Sequence, residues 1–227
     1  MHLQAGVIPY DRFVRCVGLG PQTRVVNYDP SAPLHDRYRM DRDFISADEQ
    51  RKLRTSRSRS TRSSAGISIP ARRCCKGGEW YPIDFANACP DSQVTSLHYH
   101  FPGSSRRTCA GRSSAPTTKA PGCAGISTGS RTSGSPAKDL SAHERLRGYA
   151  LLAREHFATD SFREFCAKHL AHLDDVAYEF FGSTEARDAV RKKVTALYPA
   201  HEIEQFTELF FNRIQEWRKI EGRTAAI

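Results

Sequence analysis

Acidic residues are missing from two long stretches of this sequence. No Asp or Glu lies between Glu49 and Glu79, and none lies between Asp91 and Asp139. The chain of 227 residues carries a net charge of +9 at pH 7, and these two stretches account for the surplus. A basic surplus is typical of proteins that bind nucleic acid or anionic membranes. Here it belongs to two segments, because charges of both signs are mixed over the rest of the chain.

The sequence also lacks any pair spaced as Cys-x-x-Cys among its seven cysteines. An odd number of cysteines at irregular spacing argues against a zinc ribbon and against a disulfide framework. We therefore expect reduced thiols and a cytoplasmic protein. No apolar run is long enough to cross a bilayer, so no membrane partner is expected. The opening run MHLQAGVIPYDR lacks the basic start and the long apolar core of a signal peptide.

Large apolar and aromatic residues are scarce in the same two stretches. Residues 55–75, the first basic segment, and residues 103–137, the second basic segment, contain no Phe, Tyr or Trp. Such segments cannot bury a core, and we expect both to be disordered. Codons can be chosen for each segment that, read in a shifted frame, encode apolar peptides continuing the neighbouring sequence. The hypothesis we favour is therefore a pair of frameshifts, and a natural low-complexity loop is the alternative.

The first third of the chain has the pattern of short strands. Three apolar runs follow one another closely within residues 1–30, and the last ends at an Asp-Pro turn, which predicts an antiparallel meander. Ser46 is placed to cap a helix that starts over residues 47–54. The aromatic run GGEWYPIDF predicts a further strand that follows a glycine turn.

From residue 139 onward, apolar residues recur every three to four positions, which is typical of amphipathic helices. Glycine and proline residues separate the predicted helical segments, and the loops between these segments are a few residues long. This pattern predicts a helical bundle. The predicted helices are residues 141–157, 160–181, 186–198 and 201–222.

Several stretches outside the basic segments resemble a known family. HLQAGVIPYDRFVRCVGLG, TRVVNYDPSAPLHDRY and GGEWYPIDFANACPDSQVTSLHYHFP are similar to the C-terminal half of bacterial ATP-grasp proteins, ligases that join a carboxylate to an amine. The helical tail from Lys138 resembles theirs as well. The resemblance implies a protein that activates a carboxylate as an acyl phosphate with ATP and Mg²⁺. It also implies that this chain begins inside the family's domain.

The resemblance points to four site residues. In the family, the last core strand carries an acidic residue followed closely by Asn as metal ligands, and here Asp84 and Asn87 stand in that place. Carboxylate and amide oxygens suit Mg²⁺, although this chain has one residue more than the usual acid-x-Asn spacing. Arg12 and Arg15 resemble the basic residues around the transferring phosphoryl group, whose oxygens fit a guanidinium fork. The family's second acidic ligand would fall in the first basic segment, which contains no acid.

Each of these residues also has an ordinary structural interpretation. Asp84 alone could end a strand, and Arg12 and Arg15 could be solvated charges beside a strand. His98 and His100 form a His-x-His pair without a neighbouring acid, and packing or a local hydrogen bond is the favoured interpretation over metal binding.

Taken together, the sequence predicts an α+β protein: a partial antiparallel ATP-grasp-like sheet in residues 1–102, a disordered linker over 103–137 and a helical bundle over 138–227. The predicted function is a remnant of an ATP- and Mg²⁺-dependent ligase that is inactive in this form. The alternative is a non-enzymatic basic protein that binds nucleic acid through its Arg/Ser-rich segments. Nucleic-acid surfaces usually offer aromatic side chains for stacking, and their absence from both basic segments weighs against it.

Overall fold

The computed structural model describes residues 9–19, 22–41, 43–63, 71–84, 91–114, 140–156 and 158–222. Within these ranges the protein is α+β, as the sequence predicts, and consists of an antiparallel sheet and a set of helices. The strands are β1 Arg12–Leu19, β2 Gln22–Asn27, β3 Ala71–Lys76 and β4 Glu79–Asp84. The helices are α1 Ala47–Ser63, α2 Val94–Leu97, α3 Phe101–Ser114, α4 Ala142–His156, α5 Thr159–His169, α6 Leu173–Phe180, α7 Thr184–Thr195 and α8 Ile203–Ile220.

The four strands pair in the order β2-β1-β3-β4, and every pairing is antiparallel. β4 lies at an edge, which suits Pro82 because proline has no N–H to give to a neighbouring strand. β3 and β4 form a hairpin whose turn residues, Gly77 and Gly78, have φ angles of +57° and +83°. Glycine adopts such angles at no steric cost, so this pair permits the tight turn.

Helix α1 covers one face of the sheet, and its start follows from local chemistry. The Ser46 hydroxyl accepts a hydrogen bond from the Glu49 N–H at 3.2 Å, and the Glu49 carboxylate accepts one from the Ser46 N–H at 3.0 Å. This reciprocal capping box confirms the predicted cap. Under the helix, Val14 and Cys16 of β1 pack with Leu53 in a buried apolar cluster.

Disorder in the basic segments was a wrong expectation for the parts that the structure describes. Helix α1 continues through Ser63, and β3, with Cys74 and Cys75 at most 1% exposed, is an inner strand of the sheet. Helix α3 likewise occupies the start of the second basic segment and buries Ala110 completely. The first basic segment lacks aromatic residues, but its cysteines supply the apolar surface that an inner strand requires.

The helices after residue 139 follow the sequence pattern with one exception. Helix α7 begins at Thr184, and the Ser183 hydroxyl before it accepts a hydrogen bond from the Ala186 N–H at 3.3 Å. The single helix expected over residues 160–181 is instead two helices, α5 and α6, separated by a turn at residues 170–172. The turn contains no glycine or proline, and the apolar periodicity continues across it. The sequence pattern therefore gives no sign of the break. Within the described ranges, no helix has both the length and the apolar composition needed to cross a membrane.

Helix α8 connects the helical part of the chain to the sheet. Its buried residues Phe210, Ile214 and Trp217 share a core with Val94 and Tyr99, which lie before residue 102. At the end of the helix, the Glu221 carboxylate accepts two hydrogen bonds from the Arg24 guanidinium at 2.9 and 2.7 Å. A boundary between domains at residues 102 and 138 stays a prediction.

Candidate functional site

Arg12, a predicted phosphate-binding residue, opens β1 on the face of the sheet that α1 covers. Its guanidinium donates to both oxygens of Glu49, at 2.7 and 3.4 Å, and lies 5.3 Å from the centre of the Trp80 ring. The hydrogen bond from Arg12, together with those from Ser46, lowers the pKa of Glu49 to about 2. Arg12 is therefore already held by a carboxylate that also caps α1.

A polar cavity of about 340 Å³ lies beside Arg12, at the point where β1 begins and β2 ends. Its other charged side chains also have hydrogen-bonding partners. Arg39 forms an ion pair with Asp29 at 2.8 Å, and Asn27 donates to Asp41 at 2.9 Å. Hydrogen bonds from Ser31 and then Arg39 lower the pKa of Asp29 to about 2. Because the carboxylates in this cavity offset the positive charge of its arginines, the cavity does not favour binding of a phosphate.

Arg15, the second predicted phosphate-binding residue, lies on the opposite face of the sheet. Residues three apart in a strand point to opposite faces, so β1 separates Arg15 from Arg12. The Arg15 side chain is only 3% exposed, donates to the Asp91 carbonyl at 3.0 Å and stacks over the Tyr38 ring at 5.2 Å. The structure therefore does not bring the two predicted arginines together.

Asp84, a predicted metal ligand, is the last residue of β4. The register pairs Asp84 with Arg72 of β3, and Arg72 in turn with Arg15 of β1. Since adjacent strands lie about 4.8 Å apart, these three positions form one row across the sheet. The Arg72 guanidinium lies 5.5 Å from the centre of the Tyr28 ring. The other predicted metal ligand, Asn87, lies outside the described residues.

Arg72 was missed from the sequence because it falls in a segment that we expected to be disordered. The signal that could have found it is the pattern in ARRCCK, which places apolar cysteines beside arginines before a glycine turn. The turn sets the register that pairs Lys76 with Glu79, and an irregularity between Arg72 and Arg73 then brings Arg72 opposite Asp84.

The described surroundings of Asp84 lack the usual ligand set of a divalent metal. In the part of the chain that the structure describes, no three His, Cys, Asp or Glu side chains are grouped so that they could hold a metal ion. Mg²⁺ is usually bound through one or two carboxylates together with phosphate oxygens. The neighbouring strand β3, however, offers no acid and places Arg72 opposite Asp84. The described residues therefore do not fit a magnesium site.

The His98–His100 pair lies in the core between the sheet and α8. His98 is 1% exposed, and its Nδ1 accepts a hydrogen bond from the Tyr99 N–H at 2.7 Å. His100 is 4% exposed, and its Nε2 donates to the Arg39 carbonyl at 2.8 Å. Burial lowers the pKa of His98 to about 2 and that of His100 to about 3, so both rings are neutral. These contacts agree with a packing role.

Comparison with known proteins identifies no relative of this chain. No family model, curated protein or solved structure matches the chain. The resemblance to ATP-grasp ligases therefore remains a prediction that rests on the sequence stretches themselves.

Proposed function

We propose that this chain is a remnant of an ATP- and Mg²⁺-dependent ligase that activated a carboxylate through an acyl phosphate, and that in this form it does not turn over ATP. The ancestral part of the proposal rests on the stretches that resemble ATP-grasp proteins. The antiparallel sheet, with Asp84 on its edge strand, is compatible with that ancestry. A cytoplasmic location, supported by the reduced thiols of the described cysteines, belongs to the same proposal.

The observation that carries the inactive part is the separation of Arg12 and Arg15. Phosphoryl transfer requires cationic donors that converge on one group of oxygens. Here the sheet lies between the two guanidiniums, and each already has its own partner, Glu49 for Arg12 and the Asp91 carbonyl for Arg15. A phosphoryl-transfer site would also hold Mg²⁺. Among the described residues, no cluster of acids near Asp84 could bind this ion.

The direct test is release of phosphate from ATP by the purified chain in the presence of Mg²⁺. We expect no release above that of a heat-denatured sample. Two variants on β4 identify the source of any signal: Asp84→Asn alters the predicted ligand, and Glu79→Gln changes an exposed acid at the other end of the same strand. Release that disappears in Asp84→Asn and persists in Glu79→Gln would overturn the inactive part while supporting the ligase ancestry.

The ancestral part has a separate test in the gene. Sequencing from upstream of the first codon through the codon for Asp139 would reveal whether a base is gained or lost at the edges of the two basic segments. A restored frame that supplies an acid before β3 would support the ligase proposal. If the DNA encodes the chain as written, the ligase ancestry loses that support. A salt-dependent shift in the gel mobility of single-stranded RNA when the chain is added would then favour the nucleic-acid alternative.

A further inference from the structure

An apolar cavity lies among α2, α6, α7 and α8, apart from the sheet residues considered above. Its volume of about 340 Å³ is at the small end of the range for ligand pockets, about 300–1,000 Å³. Val94, Phe181, Val190 and Ile214 form its buried wall, and Phe180, which is 48% exposed, lies at its mouth. Among the described residues that line the cavity, Lys193 is the only charged one.

The wall of this cavity is held in place by aromatic packing. The Phe181 ring meets the rings of Phe101 and Trp217 edge-on, with centroids 6.1 and 5.9 Å away. The Phe181 carbonyl also accepts a hydrogen bond from the Gln215 side chain at 2.9 Å. Edge-to-face contacts of this kind stabilise aromatic rings in one arrangement. The cavity is therefore formed before any ligand enters, which lowers the entropic cost of binding.

Lys193 differs from the two arginines of α7. Arg187 forms ion pairs with Glu204 and Glu208, and Arg191 forms one with Glu204 at 3.4 Å. Across the ranges that the structure describes, Lys193 has no ion pair, and its side chain is half-buried at the cavity. An ammonium group beside apolar surface gains from a negatively charged acceptor more than one in open water does.

We propose that this cavity binds a small apolar carboxylate. The hydrocarbon part lies against Phe180, Phe181 and Val190, and the carboxylate accepts a hydrogen bond from the Lys193 ammonium at the rim. Gln93 is the other polar residue of the lining, and its side-chain amide is a second donor for the same carboxylate. The assignment concerns a site that is separate from the ligase remnant and does not depend on it.

Calorimetric titration of the full chain with octanoate, and with octan-1-ol as its uncharged counterpart, tests the proposal. Octanoate is expected to bind saturably with one molecule per chain. Lys193→Met is expected to weaken octanoate binding about tenfold or more, because a hydrogen bond to a charged group is lost. Binding of octan-1-ol should be unchanged by the same substitution. Lys192→Met, at the exposed neighbouring position, is the matched control and should leave both affinities unchanged.

A second variant tests the cavity itself. Ala189 lines the mouth of the cavity and is exposed, so Ala189→Trp can block the entrance without disturbing the core. This variant is expected to lose binding of both probes while its melting temperature stays the same. Equal weakening by the two lysine substitutions, unchanged binding in Ala189→Trp, or the lack of a saturable octanoate signal in the unaltered chain would each overturn the proposal.

Discussion

Glu221 is the residue through which the last helix is tied to the sheet, and its replacement by glutamine tests how strongly the two parts depend on each other. The Glu221 carboxylate accepts two hydrogen bonds from Arg24 of β2 and a third, at 3.2 Å, from the Tyr99 hydroxyl. The partners are 197 residues apart in sequence for Arg24 and 122 for Tyr99. Glu221→Gln keeps the shape of the side chain and removes its charge.

The expected loss can be worked out from the burial of the pair. The Arg24 and Glu221 side chains are 17% and 9% exposed, so the substitution leaves a guanidinium largely out of water without its counter-charge. Removing one member of a buried ion pair costs about 3–5 kcal/mol. Because the amide oxygen of the introduced glutamine can still accept one hydrogen bond and Arg24 keeps some contact with water, we expect a loss of about 3 kcal/mol, at the lower end of that range.

Urea unfolding followed by tryptophan fluorescence measures this loss, since Trp217 is fully buried. Glu216→Gln is the matched control on the same helix: Glu216 pairs with Lys219 at 2.8 Å, but the side chains are 42% and 69% exposed. The control should lose no more than about 0.5 kcal/mol. If the free energies of unfolding of the two variants agree within about 0.5 kcal/mol, the tie between α8 and the sheet does not contribute as we argue.

Two further predictions concern the core histidines and the hairpin turn. Unfolded His98 and His100 take up a proton below about pH 6.5, whereas in the fold burial keeps their pKa values at about 2 and about 3. The stability is therefore complete above about pH 6.5 and falls below it, by about 1.4 kcal/mol per pH unit for each histidine. Urea unfolding between about pH 7.5 and about pH 5.5, one unit either side of 6.5, checks this, and a flat profile would contradict it. Gly78→Ala is expected to cost about 1 kcal/mol because the φ of +83° strains an L-residue. Gly78→Asn should cost less, and equal urea midpoints for the two variants would speak against backbone strain.

The elements that the sequence predicted well have signals that act over a few residues. The cap at Ser46 fixes the start of a helix by local hydrogen bonding, and the paired glycines after β3 permit a turn through their backbone freedom. The apolar period of α8 similarly agrees with the buried face that the structure gives it. Such features can be read in sequence because their partners lie next to them.

The elements that the sequence predicted poorly depend on distant partners. β3 looked like part of a basic, unstructured segment, yet hydrogen bonds from β1 and β4 on both sides make it an inner strand. The break between α5 and α6 lacks any local signal. Near it, Arg106, which is 3% exposed, forms an ion pair with Asp174 of α6 at 2.8 Å, so packing against α3 decides where α6 lies.

The candidate site shows the same division. The family resemblance selected Arg12, Arg15 and Asp84, and Asp84 lies on a strand, as the aromatic run around it predicts. Strand alternation separated the two arginines onto opposite faces, and only the order of the strands brought Arg72 between Arg15 and Asp84. Strand alternation is a local property, but hydrogen-bonding partners and burial depend on contacts between residues far apart in the sequence. The sequence by itself therefore determined the residue types and the local elements. The tertiary structure decided which side chains contact one another and which are buried.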